Sequence, residues 1–350
     1  MDMHHNRLYL EDINRTLVHV VGIKALWNKS ILVTGATWTI GSFIADALIR
    51  LNKTQNANIK VLLAGRNVKK LQNWFGDNDN VEILSYDLND EIEFKVDVDY
   101  VIHVAGNAHP AAFNSNPVGT IVGNVESTFR LFEYAKNHNG TRFLYVSSGE
   151  VYGQGDISLE AFEETYSGYV DVLSPRSCYP LSKRMAENLC VSYWKQYNVE
   201  SIIVRPCHTY GPCITAIDNR AHVQFFRNAL SGKNIVMKSA GTQMRSYNYV
   251  ADCVSGLLTV LVNGKPGEAY NLANPQTRLT IADLAQKIAD IEKCKVVFEN
   301  PTVVDIANQS PIPKQVLATR KLESLGWRPA FSVDEGVRHT LDILRSMKER

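Results

Sequence analysis

The sequence predicts an α/β protein: a doubly wound parallel sheet followed by a smaller C-terminal α+β lobe. Three observations carry this. Short β-branched runs alternate with amphipathic stretches through residues 31–206. The runs are apolar without strict period-two alternation, as strands covered on both faces are. The first run ends in a glycine-rich turn that opens a helical pattern.

Residues 1–29 form a helical extension in this reading, with Leu8, Leu10, Ile13, Leu17, Val20, Val21, Leu26 and Trp27 at mostly helical spacing. Residues 30–206 form the sheet domain, its strands expected at ILVTGA 31–36, KVLLAG 60–65, VEILSYDL 81–88, YVIHVAG 100–106, RFLYVSS 142–148 and ESIIVRP 200–206. Residues 207–350 form the lobe, with some segments returning to the sheet. Stretches 211–221 and 238–248 read as loops, 222–231, 251–262 and 279–290 as helices, and 296–299 as a strand. Ligands of such sheets lie beyond the carboxyl ends of the strands, at the point where strand order reverses, so the late lobe closes over that crevice.

Composition narrows the function classes. The chain of 350 residues is 45% hydrophobic and 21% charged, which excludes disordered and collagenous classes. Thirty-seven basic against 36 acidic residues argue against a nucleic-acid binder working through bulk phosphate attraction. The six cysteines show no CxxC pair or Cys/His metal spacing and read as free thiols, and no metal site is expected. No apolar run is long enough to span a membrane, and residues 1–6 lack the apolar stretch of a signal peptide, so a cytoplasmic protein without a membrane partner is expected.

The turn Thr34 to Gly41, TGATWTIG, lies between strand and helix. Glycine there allows a tight turn and close approach of a pyrophosphate, which then sits on free N–H groups at a helix N-terminus. Gly35, Thr37, Trp38, Thr39, Ile40 and Gly41 are the expected contacts of a bound dinucleotide. After the second strand Arg66 leans slightly towards the 2′-phosphate of NADP, although an arginine also stacks on adenine, so NAD and NADP both stay open. Small residues Val104, Ala105 and Gly106 end the fourth strand where backbone runs beside a cofactor.

At the other end of the crevice Ser148 closes the fifth strand, and Tyr179 and Lys183 lie four apart on one helix face. Lysine can hold a ribose while its charge, with that of an oxidised nicotinamide, lowers the phenol pKa, making Tyr179 a usable base. These motifs together resemble the nucleotide-sugar branch of the extended short-chain dehydrogenase/reductase family, the NAD-dependent epimerase/dehydratase group, over roughly residues 30–345. RPCHTYGP at 205–212, RSYNYVAD at 245–252, GEAYNLAN at 267–274 and LGWRPAFSVDEGV at 325–337 extend the likeness.

The resemblance implies a Rossmann-like sheet, a nucleotide-diphospho-sugar substrate and a homodimer. It places Ser148, Tyr179 and Lys183 at the catalytic positions, Asp87 and Leu88 with Pro206 along the cofactor, and Asn124, Ser148, His208 and Arg245 on the substrate. Two departures stand out: Trp38 replaces the middle glycine of the turn, and His208 stands where many relatives have asparagine. The implied reaction is oxidation at sugar carbon 4, with Tyr179 removing the hydroxyl proton. Glu150, two residues after Ser148, favours a following elimination, so a 4,6-dehydratase or decarboxylase is expected. Relatives that dehydrate through an adjacent Asp-Glu pair carry a donor where Gly149 stands, while SPRSCY at 174–179 resembles nucleotide-sugar acid decarboxylases. A 4-epimerase, an NADPH-dependent 4-ketoreductase and a binding protein that has lost turnover remain alternatives. Tyr193 and Tyr197 are candidates to pack a dimer partner, and His109 and His222 have no partner spacing for zinc.

Overall fold

The structure is a computed structural model that describes all residues except 1–2, 89, 93, 107, 109, 139–140, 216–217, 303–304, 307–309 and 349–350. Seven parallel strands form the main sheet: β1 Ser30–Thr34, β2 Lys60–Gly65, β3 Val81–Ser85, β4 Tyr100–His103, β5 Arg142–Val146, β6 Ser201–Pro206 and β10 Ala269–Leu272. Their spatial order is β10-β6-β5-β4-β1-β2-β3, so the chain reverses direction between β1 and β4. That reversal opens a crevice at the strands' carboxyl ends.

Helices cover both faces. α1 Arg7–Val18, α2 Thr39–Gln55 and α8 Val250–Asn263 pack on one another against one face. α5 Pro117–Asn137 and α6 Cys178–Tyr197 pair closely on the other. Two apolar clusters fill the two sides, one around Ile31, Val33, Leu63 and Leu257, the other around Leu32, Val101, Leu131 and Phe143. Adjacent residues of one strand thus serve opposite cores, which is why the runs are apolar throughout. The helix ends follow local chemistry: Asn116 accepts from Gly119 N–H ahead of Pro117, and α2 and α6 stop at Asn56 and Asn198 in the left-handed region.

The N-terminal segment is tied to the rest by buried polar contacts. Tyr9 donates its hydroxyl to Asp46 at 2.6 Å, and Asp12 accepts from the Tyr249 hydroxyl at 2.6 Å. The smaller lobe contains a four-stranded sheet centred on β9 Met244–Tyr249, flanked by β7 His208–Tyr210, β11 Arg278–Thr280 and β13 Lys314–Gln315. β8 Ile235–Met237 pairs with β12 Val296–Phe298, and α7 Ala221–Leu230 packs on α9 Ile281–Glu292. Residues 244–248 lie in β9, a correction to the loop expected there from their polar side chains. No helix is long and apolar enough to cross a membrane, and no metal-binding group of His, Cys, Asp and Glu occurs among the described residues. His109 lies outside the described residues.

Candidate functional site

A cavity of 490 Å³ lies between the sheet's carboxyl ends and the smaller lobe. Ser148, Glu150, Tyr179 and Lys183 all line it, with Ile40, Val104, Gly106, Pro206, His208 and Arg245. The remaining expected residues, Gly35, Thr37, Trp38, Thr39, Gly41, Arg66, Asp87, Leu88, Ala105 and Asn124, stand outside this lining.

β5 delivers Ser148 to the cavity, where its hydroxyl accepts from Glu150 N–H at 3.1 Å and caps the short turn Gly149–Tyr152. α6 delivers Tyr179 and Lys183 from successive turns of one face. The Tyr179 ring is 7% exposed and stacks on Phe113 at 4.6 Å, and burial pushes its phenol up to about 12, opposed by polar contact with Ser148. Lys183 donates to the Val146 carbonyl at 2.9 Å and lies 6.0 Å from the Tyr179 ring centre.

Burial lowers the Lys183 ammonium to about 8, with Glu187 acting in the opposite direction. Because the folded value lies below the unfolded one, protonating this amine opposes folding. The cofactor-free protein should therefore gain stability from this site as pH rises from about 8 towards 10.5. Urea unfolding at several pH values should show that gain in the parent protein and lose it in Lys183→Met.

Glu150 accepts two N–H bonds from Arg176, at 3.2 and 3.3 Å, inside the cavity. Arg176 precedes Tyr179 by three residues and also lies over Phe113. Arg245, 2% exposed on β9, donates to the carbonyls of Met244 at 2.9 Å and Ile312 at 2.6 Å. His208 lies against Tyr247, its Nδ1 has no partner among the described residues, and burial followed by the Arg245 charge keeps its imidazole well below the usual range.

At the end of the site expected to hold the cofactor, the glycine turn is tight. Gly35 adopts φ +78°, and a Cβ there would come within 2.9 Å of Ala105 N; one on Gly41 would lie 2.3 Å from the Gly35 carbonyl oxygen. The turn is thereby pressed against the chain leaving β4 at Val104 and Ala105, with α2 opening directly from it. Trp38 is half-buried at the start of α2, and its amide donates to Gly35 at 3.2 Å. Asn124 donates to the Ser182 hydroxyl at 2.9 Å while its buried Oδ1, beside Gly106, has no partner among the described residues. Arg66 lies 3.9 Å from Asp87 at the far end of the groove, and Leu88 and Thr39 use backbone and hydroxyl contacts to Arg130 and Cys213.

Sequence reasoning missed Arg176, Phe113, Arg220 and Gln315 as lining residues. The spacing of Arg176 before Tyr179 was a usable signal; the other three had none.

A family model described as NAD dependent epimerase/dehydratase family matches residues 31–273. Curated relatives include UDP-glucuronic acid decarboxylase 1 of Xenopus tropicalis, 31% identical over 324 residues, covering 92% of this chain and 73% of that protein. UDP-glucuronic acid decarboxylase 6 of Arabidopsis thaliana is 33% identical over 314 residues, covering 89% of this chain and 87% of its own. Among solved structures, dTDP-glucose 4,6-dehydratase from Bacillus anthracis in complex with NAD aligns with a TM-score of 0.76 at 21% identity, covering 92% of this chain and 98% of that one. UDP-glucuronic acid 4-epimerase from Bacillus cereus, in complex with UDP-glucuronic acid and NAD, aligns at 0.75 and 22% identity, covering 91% and 99%.

Proposed function

Because the chain belongs to the NAD dependent epimerase/dehydratase family, we propose that it decarboxylates a UDP-linked uronic acid through a 4-keto sugar. It is an NAD-dependent nucleotide-sugar enzyme of the dehydratase and decarboxylase kind. The observation that carries the finer reading is the meeting of Tyr179, Lys183 and the Glu150–Arg176 pair in one cavity.

When bound, NAD would accept the carbon 4 hydride and give it back after carbon dioxide has left, so the ketone is transient and the reaction is redox-neutral. Tyr179 takes the proton of the carbon 4 hydroxyl, Ser148 hydrogen-bonds that oxygen, and Lys183 lowers the cost of the phenolate with its charge. The ketone then accepts, as an enolate, the electron pair left by departing carbon dioxide. Glu150, held by two Arg176 N–H groups, is the carboxyl placed to move a proton at carbon 5. Gly35, Gly41, Gly106 and Asn124 form the cradle of the cofactor.

Incubation with UDP-glucuronic acid and with UDP-glucose, with products read by mass spectrometry, tests the reading. Loss of carbon dioxide from the first and no dehydration of the second is expected. A dehydrated hexose, or an isomer of unchanged mass, overturns it. Glu150→Gln should slow incorporation of solvent deuterium at carbon 5; unaffected incorporation with continued turnover removes that carboxylate from the reaction.

NAD is the proposed cofactor rather than NADP, since the Asp87 carboxylate 3.9 Å from Arg66 works against a 2′-phosphate there. The proposed oligomer is a homodimer. Val118, Ile121 and Phe129 lie on one face of α5 and are exposed, whereas Tyr193 is buried in its own chain, stacked on Phe132 and bonded to Glu133. Tyr197 is 44% exposed and remains available to a partner. Phe129→Glu should shift the protein to a monomer in sedimentation.

A further inference from the structure

The end of the cavity beside Ser148 and Glu150 contains a side chain that the proposed chemistry does not use. Gln315 sits on β13 in register with Arg245 on β9 and is 3% exposed. It lines the cavity, and its amide nitrogen has no hydrogen-bond partner among the described residues. A buried amide donor without a partner is costly, so its position is informative.

Gly149 explains how Gln315 fits. A Cβ added at Gly149 would lie 3.3 Å from the Gln315 Cδ and 3.4 Å from its Nε2. The amide therefore stands in the space that a side chain at position 149 would enter, between Ser148 and Glu150 in sequence. An acid in that space could protonate a departing hydroxyl group. A carboxamide N–H is far too weak an acid for that task, but it is a good donor to an oxygen acceptor.

The charges around it point the same way. Glu150 is matched by Arg176, and Arg220 by Asp218 at 2.6 Å. Arg245 has no carboxylate within ion-pair distance among the described residues and donates to main-chain carbonyls. This region thus offers a positive charge and an unused amide donor, a combination suited to a carboxylate.

We propose that Gln315 is a specificity-determining residue that reads the substituent on sugar carbon 5, donating its amide N–H to the carboxylate of a uronic acid. The uronic acid itself rests on the reading of the reaction given above. Gln315 discriminates against neutral hexoses because those leave its amide with a weaker acceptor, and the space it fills holds no acid for dehydration.

Calorimetric titration of the NAD-loaded enzyme with UDP-glucuronic acid, UDP-glucose and UDP tests this. Gln315→Leu should weaken UDP-glucuronic acid by about 10- to 100-fold, the scale of a lost hydrogen bond to a charged group, while leaving UDP and UDP-glucose within about twofold. Gln315→Glu should weaken the uronate further by like-charge repulsion, again with UDP unchanged, which also reports that the fold is intact. Equal losses for all three ligands, or unchanged uronate binding in both variants, overturn the proposal, as does a parent enzyme that holds UDP-glucuronic acid no tighter than UDP-glucose. Turnover separates the two readings. Carbon dioxide release with a silent Gln315 substitution defeats this proposal alone, and uronate preference through Gln315 without carbon dioxide release defeats the decarboxylase reading alone.

Discussion

Tyr179→Phe is expected to lower kcat by about 10²- to 10⁴-fold, the usual contribution of a positioned general base. The substitution keeps the ring that stacks on Phe113 at 4.6 Å and removes only the hydroxyl, so folding and nucleotide affinity should change little. Burial has raised that hydroxyl to about 12, so the bare cavity does not provide a phenolate at neutral pH. Its activation therefore depends on positive charge that a bound, oxidised nicotinamide would add beside Lys183, whose ammonium burial lowers to about 8. Lys183→Met should therefore resemble Tyr179→Phe in kcat and, in addition, weaken cofactor retention. Single-turnover measurements at saturating substrate check both. A Tyr179→Phe enzyme within tenfold of the parent would place the base elsewhere.

The parts of this site that could be read in advance are those built from local chain geometry. A tyrosine and a lysine one helical turn apart share a face whatever the surroundings, and a glycine turn between strand and helix imposes its own shape. Strands β1, β4 and β5 were visible because both of their faces are buried, which forces continuous apolar runs. β9 was hidden for the opposite reason. Arg245 and Ser246 are buried polar residues held by contacts to Ile312 and Leu317, so the stretch resembles a loop by composition. Gln315 was less visible still, since a two-residue strand exists only through its pairing with β9. Arg176 lay between these cases, near enough in sequence to Tyr179 to be suspected but needing the fold to meet Glu150.

Glu187→Ala should produce the largest loss of stability. Glu187 sits one turn after Lys183 on α6 and accepts from Arg205 at 2.9 and 2.7 Å and from the Ser147 hydroxyl at 2.6 Å. Arg205 continues the network to the Tyr152 hydroxyl at 2.9 Å, and Tyr152 donates to Asn271 at 2.6 Å. The paired side chains are only 12% and 10% exposed, so removing the carboxylate leaves a guanidinium largely out of water and unpaired. Breaking a buried pair in this way costs about 3–5 kcal/mol, which urea unfolding would resolve as a lowered midpoint with unchanged slope. Replacing both partners, Glu187→Leu with Arg205→Met, should recover much of that stability because no charge is stranded. The same double variant should remain a poor catalyst. The network fixes Ser147 at the end of β5, next to Ser148, and Glu187 also opposes the lowering of the Lys183 ammonium. Recovered stability with full activity would mean that the pair serves the fold alone; recovered stability with depressed kcat and an unchanged KM assigns it to the positioning of Ser148 and Lys183.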